Sequence, residues 1–260
     1  MQRTSKRSRI VQVCQLSGNG YRGDSAKLLH PARKLWDSQD KNELARLIEL
    51  YPRLAKASTE GKVTYGPQSG RPKNEVKNAT DAHEAYEILV AVFSSAEGEV
   101  EMNLEQLKTV RDWKMVRNRV RQNWLLVDQN EDNNVKKVTA SAFKLADEGD
   151  WHSAMMEIDK GLRGVGPATA SMILSLRYPT IAPYGEEAFR VAGISSSKYT
   201  LSEYEIFFNL MNGKADEMGC TARDLERAIY AAVYEGRNFE TGDNDPDDNN
   251  NKKKRRISEI

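Results

Sequence analysis

Apolar residues recur at spacings of three and four along most of this chain, and this spacing limits its fold more than any other feature. In the segment DAHEAYEILVAVFSS, the residues Ala82, Tyr86, Leu89 and Phe93 fall on one side of a helix. The same period continues in NLEQLKTVRDWKMV, NNVKKVTASAFKLAD, WHSAMMEIDKGL, PATASMILSLRY, EEAFRVAG, SEYEIFFNLMNGKADEMG and TARDLERAIYAAVYEG. Strict alternation of apolar and polar residues, which is typical of strands, is nearly absent. The sequence therefore predicts an all-α fold.

The N-terminal third contains two regions of different composition. Residues 1–24 mix Arg and Lys with small polar residues and show no period, which favours a mobile basic arm; a short ordered segment is the alternative. Residues 25–80 begin with helical spacing, and Pro52 is expected to limit the second helix. Residues 56–80 are rich in Gly, Pro, Ser, Lys and Asn, a composition that predicts a long loop. We have no functional interpretation of residues 1–80.

Charge and cysteine content exclude several classes of protein. The chain has 39 Lys and Arg residues against 38 Asp and Glu residues, so no global field attracts it to nucleic acid or anionic lipid. Cys14 and Cys220 are too few for a disulfide framework, a four-cysteine zinc site or a four-cysteine iron–sulfur cluster. No apolar run has the length of a signal peptide or a membrane span, so we expect a protein of a reducing compartment.

The segment from Trp151 to Arg190 carries the most chemical information. A helix with Met155, Ile158 and Leu162 on one face is expected to stop at the glycine corner Gly164-Val165-Gly166, and a second helix starts with Pro167 at its first position. Glycines leave the corner without side chains, and the first amides of the second helix point outward at the positive end of its dipole. This arrangement predicts an anion site for a phosphate. Its residues are Gly164, Val165, Gly166, Ala168 and Thr169.

The stretch LRGVGPATAS resembles the helix-hairpin-helix motif of the DNA glycosylase superfamily typified by endonuclease III, whose pattern is approximately Leu-Pro-Gly-Val-Gly-x-Lys-Thr-Ala. The similarity continues through PTIA and EEAFRV to DLERAIYA, over about residues 85–235. It implies a glycosylase-like helical domain, placed at residues 81–237, in which Gly164, Val165 and Gly166 grip the DNA backbone. It also implies a possible monovalent cation between the hairpin and a phosphate, and no other cofactor. An ordinary turn between two packed helices is the alternative.

The chain departs from this family where catalysis is concerned. The lysine of the bifunctional members would fall at Ala168, which has no amine, so lyase chemistry through that position is excluded. The family's aspartate, in the pattern Val-Asp-x-His-x-x-Arg, has no counterpart in PYGEEAFR. Glu186 or Glu187 could replace it, and at most one of them would face a pocket. Two glutamates in a first helical turn are also expected simply to stabilise the helix dipole.

Basic residues predict the rest of a DNA surface. The segment LKTVRDWKMVRNRVRQNW carries six basic residues against the single acid Asp112. A solvated helix face is the alternative, and Trp113 and Trp124 are interpreted as core residues. The predicted DNA contacts outside the glycine corner are Lys114, Arg117, Arg119, Arg121 and, beside the hairpin, Arg163.

Residues 238–260 lose apolar content and separate into an acidic block and a basic block, which predicts a disordered tail. Its basic cluster is typical of nuclear localisation signals, although a solubilising charge run is the alternative. The residues expected to bind an import receptor are Lys252, Lys253, Lys254, Arg255 and Arg256. The favoured function is a nuclear protein that grips the DNA backbone without catalysis. The alternatives are a monofunctional DNA glycosylase in base excision repair and a protein-binding nuclear scaffold.

Overall fold

The computed structural model describes residues 24–59, 79–117, 124–194 and 198–235. These residues contain eleven α-helices and no strand, so the predicted all-α class is confirmed. The helices are α1 (Asp24–Asp37), α2 (Lys41–Thr59), α3 (Ala79–Ser95), α4 (Leu104–Arg117), α5 (Trp124–Val127), α6 (Asp132–Asp147), α7 (Trp151–Gly161), α8 (Pro167–Ser175), α9 (Glu186–Val191), α10 (Leu201–Met218) and α11 (Ala222–Glu235).

Several predictions fall on other parts of the chain. The basic arm, apart from Asp24, lies outside the described residues, and so do residues 60–78 of the predicted loop. The predicted ends of that loop are wrong, because residues 56–59 belong to α2 and residues 79–80 to α3. The charged tail, with its basic cluster, lies outside them as well. The division of the chain into four parts stays a prediction.

Helix α2 corrects the expectation that Pro52 would limit the second helix. The helix continues through Pro52 to Thr59, and Leu54 and Ala55 are buried beyond the proline. Tyr51 packs edge-on against Tyr230 of α11, with the ring centroids 5.9 Å apart. An internal proline costs about 3 kcal/mol because it removes one helical hydrogen bond. Burial of apolar side chains on both sides of Pro52 offsets that cost.

Helix α8 lies in the centre of the domain and supports the glycine corner. Its residues from Ala168 to Ser175 are all buried. The Tyr86 hydroxyl of α3 lies 2.9 Å from the Ser175 hydroxyl and donates to the Met172 carbonyl at 3.1 Å. Tyr86 also stacks on Trp113 of α4 at 3.6 Å, so Trp113 is a core residue as expected. These contacts fix α4 beside α8, and this is what places Lys114 near the corner.

Candidate nucleic-acid interface

Helix α8 begins at Pro167, as the sequence predicts. Helix α7 ends at Gly161, earlier than expected, and Leu162, which the sequence places on its buried face, is already in extended backbone although its side chain is buried. Gly164 has φ +74°, a left-handed conformation that favours glycine. Gly166 instead has φ −117° and ψ −177°, extended backbone that any residue adopts. A Cβ on Gly166 would meet only Asp159 Oδ1, at 4.0 Å. Neither the conformation nor the packing of Gly166 therefore requires a glycine, and the space that a side chain would fill is empty.

The main-chain amides of the corner divide into two groups. The amides of Thr169 and Ala170 both donate to the Gly166 carbonyl at 2.9 Å. The expectation that the Thr169 amide is free is therefore wrong. Thr169 is also only 2% exposed. The amides of Gly164, Val165, Gly166 and Ala168 have no acceptor in the part of the chain that the structure describes. Four donors thus remain at the start of α8, where the helix dipole is positive.

Lys114 brings a positive charge to the same place. Its Nζ donates to Thr169 Oγ1 at 2.5 Å, in the first turn of α8. Lys114, predicted from the basic segment, and Thr169, predicted from the corner, therefore lie together in the structure.

The two arginines of α4, unlike Lys108 and Lys114, are buried. The side chain of Arg117 is 4% exposed and forms an ion pair with Glu226 of α11, which is 1% exposed, at 2.6 Å. Arg111 is also buried, between Asp112 and Asp128. The expected surface position of Arg117 is therefore wrong, because its charge is neutralised inside the protein. Arg119 and Arg121 lie outside the described residues.

Three further residues lie beside the glycine corner. Arg163 is exposed, as a DNA contact requires, and its Nη1 lies 3.4 Å from Gln129 Oε1. Sequence reasoning missed Asn130, whose side chain pairs with the main chain of Arg163. It also missed Asp159, whose half-buried carboxyl faces Gly166 and has a pKa raised by burial. An asparagine in a turn and an acid on a helix gave no signal of these positions.

The two candidate catalytic glutamates have different surroundings. Glu186 forms an ion pair with Arg190, one turn along α9. Glu187 accepts a hydrogen bond from the Tyr234 hydroxyl at 3.4 Å on Oε1. Its Oε2 is buried without a hydrogen-bond partner in the described residues. Glu187 also contributes, after the larger effects of burial and Arg117, to the pKa of Glu226, which is raised. Of the two, Glu187 is therefore the one with an unused buried oxygen.

Within the described ranges, no group of three or more His, Cys, Asp or Glu side chains could hold a metal ion. The possible monovalent cation at the hairpin stays a prediction. No helix in those ranges is long and apolar enough to cross a membrane. No known protein family, curated protein or solved structure matches this chain.

Proposed function

We propose that this protein binds duplex DNA by holding backbone phosphates at the glycine corner. The observation that carries the proposal is the set of main-chain amides at Gly164, Val165 and Gly166 that find no acceptor in the described protein. Buried or partly buried amides are nearly always paired, so donors left open on an ordered turn favour an external acceptor. A phosphate supplies several acceptor oxygens and a negative charge that suits the helix dipole.

The side chains around the corner support a polymer of phosphates more than a single anion. Lys114 contacts the first turn of α8 and Arg163 immediately precedes Gly164, so more than one cation lies near the corner. Gly166 lacks the side chain that would hold a rigid backbone away from its amide. Contacts of this kind fix the protein on the sugar–phosphate backbone and do not read base edges. The proposal therefore includes no sequence specificity.

The direct test is binding of a fluorescein-labelled duplex by three aspartate variants of the full chain. Gly164→Asp and Gly166→Asp place a carboxylate where the phosphate would lie, and we expect each to weaken the affinity at least ten-fold. Gly98→Asp is the matched control, because Gly98 has φ +75° and a Cβ there meets nothing within 4 Å. It carries the same added charge and the same left-handed strain as Gly164→Asp, and it should leave the affinity unchanged.

Salt dependence separates this proposal from its rivals. Binding through phosphates should weaken as salt rises, with a slope of about −0.9 per phosphate contacted. If the Gly164→Asp and Gly166→Asp proteins fold and bind duplex DNA as tightly as the wild type does, phosphate binding at the glycine corner is refuted. Absence of any duplex binding by the wild type would favour the protein-binding scaffold.

A second candidate function is that of a monofunctional DNA glycosylase, and one specific observation favours it. The Oε2 of Glu187 is buried without a hydrogen-bond partner in the described residues, so a water or a substrate donor that reached it would fill an unused acceptor. The expected result is release of a damaged base in single-turnover assays, abolished by Glu187→Gln. Glu186→Gln is the control, because Glu186 is held by Arg190 and should be dispensable. Inactivity of the wild type on a broad panel of damaged bases would reject this candidate.

We also propose that the protein is nuclear, on the basis of the Lys252–Arg256 cluster alone. Replacing all five basic residues with alanine should shift a fluorescent fusion from the nucleus to the whole cell. An unchanged distribution would leave the cluster as a solubilising charge run.

A further inference from the structure

The residue before the glycine corner is held by a single buried side chain. Asn130, in the turn after α5, is 7% exposed. Its Oδ1 accepts a hydrogen bond from the Arg163 amide at 2.8 Å, and its Nδ2 donates to the Arg163 carbonyl at 3.0 Å. Both polar atoms of one side-chain amide therefore pair with both main-chain groups of one residue. Asn130 and Arg163 are 33 positions apart in the sequence, so this pairing is a tertiary contact.

The same side chain also holds the end of α5. Asn130 Nδ2 donates its second hydrogen to the Val127 carbonyl at 2.9 Å. Its neighbour Gln129 lies 3.4 Å from the Arg163 guanidinium. The turn after α5 therefore contacts Arg163 through its main chain and through its side chain, immediately before Gly164.

A glycine corner needs such a support if it is to bind an anion. Gly164 has no Cβ to restrict its backbone, and a flexible corner must lose conformational entropy when its amides converge on a phosphate. A corner that is already ordered avoids that loss on binding. The hydrogen bonds of Asn130 fix the Arg163 peptide on one side, and the buried Val165 fixes the corner from within.

We propose that Asn130 is a positioning residue for the phosphate grip. It holds the Arg163 main chain so that the amides of Gly164, Val165 and Gly166 point in one direction before DNA arrives. This inference rests on the proposed DNA binding, and it adds a residue that would touch no DNA itself.

The test compares Asn130→Ala with Asn134→Ala in the full chain. Asn134 is a matched control, because its Nδ2 donates one hydrogen bond to the Gly161 carbonyl at 3.0 Å, at the end of α7. We expect Asn130→Ala to weaken binding of a fluorescein-labelled 20-base-pair duplex about ten-fold, and Asn134→Ala to change it less than two-fold. Deuterium exchange of the peptide spanning the corner should rise in Asn130→Ala alone. The salt dependence of its affinity should also become less steep, because fewer phosphates are held.

A merely structural role predicts a different pattern. Asn130→Ala would then lower the unfolding midpoint, while the folded variant would bind DNA with unchanged affinity and unchanged salt dependence; that result would overturn the proposal. If Asn130→Ala does not fold, Asn130→Ser replaces it, because a serine hydroxyl is too short to pair with both main-chain groups of Arg163 and with the Val127 carbonyl. We expect it to weaken binding and to raise exchange of the corner in the same direction as Asn130→Ala. Wild-type affinity together with wild-type exchange in a folded Asn130→Ser protein would then overturn the proposal.

Failure of the proposed function is distinguishable from failure of this inference. If the wild type binds no duplex at low salt, both fall together. If the wild type binds and the aspartate variants of the corner do not, while Asn130→Ala binds normally, only the positioning role is wrong.

Discussion

Removing the negative charge of Glu226 should strongly destabilise the folded protein. Glu226 and Arg117 are almost fully buried and lie 2.6 Å apart. Burial raises the pKa of Glu226, although Arg117 opposes this. The Arg117 guanidinium also lies 4.1 Å from the ring centroid of Tyr230 and 4.9 Å from that of Trp113. In Glu226→Gln, a buried guanidinium would remain with no counter-charge.

The expected loss follows from this burial. Removing one partner of a buried pair costs about 3–5 kcal/mol, because the other charge remains desolvated. Small domains are stable by about 5–15 kcal/mol, so the loss is a large part of the total. For a chain of this size it corresponds to a fall in Tm of roughly 6–20 °C. The double variant Arg117→Met/Glu226→Gln should be less destabilised than the sum of the two single variants, since it leaves no buried charge.

The assay is urea denaturation followed by circular dichroism at neutral pH. Glu235→Gln is the control, because Glu235 lies on the same helix and pairs with Arg46, but is 40% exposed. Exposed pairs contribute at most about 1 kcal/mol, so the control should change little. A loss below 1 kcal/mol in Glu226→Gln would refute the burial argument. If Arg117→Met lost DNA affinity with its free energy of unfolding unchanged, Arg117 would be a DNA contact after all.

Three further predictions concern other positions. Burial lowers the pKa of His83 to about 4 from its usual 6.5, so the unfolded chain takes up a proton first as the pH falls. Stability should fall between pH 6.5 and about 4 by up to ~3 kcal/mol, at ~1.4 kcal/mol per pH unit, and urea denaturation of His83→Gln should show a shallower slope. Gly161→Ala should cost about 1–3 kcal/mol, because its Cβ would lie 2.8 Å from both methyl groups of Val138; a gain in thermal stability would contradict this. Asp159→Asn should tighten duplex binding about three-fold in anisotropy titrations, since two unit charges ~6 Å apart in water interact by ~0.7 kcal/mol; unchanged affinity would place the phosphate farther from Gly166.

The parts of the site that the sequence predicted are those set by local chemistry. Gly164 to Pro167 could be identified because a proline at a first helical position and a glycine in a turn act through their own backbones. Pro52 shows the limit of this reasoning. Its own chemistry predicts the end of a helix, but the packing of α2 on α11 extends the helix to Thr59.

Tertiary partners account for what the sequence could not predict. Arg117 carries the same charge in the sequence whether it faces solvent or Glu226, which lies 109 positions away. Asn130 is one of many polar residues in turns until its distance to Arg163 is known. The charge of Lys114 favours a DNA contact in the sequence alone, but its place beside Thr169 depends on how α4 packs on α8.

The burial of Arg111 and Arg117 changes what the proposed DNA binding would depend on. Both arginines neutralise acids inside the protein, so in the described residues the cations beside the corner are Lys114, Lys160 and Arg163. An interface of three cations and a few amides contacts few phosphates, and its affinity should depend on salt with a slope of about −3, against about −5 for six basic contacts. With so few cations, attraction at a distance contributes little to the proposed binding affinity. The affinity would then depend mainly on how the corner amides are arranged. We therefore expect the conformational order of the glycine corner to affect the proposed DNA affinity more than the number of basic residues in the chain does.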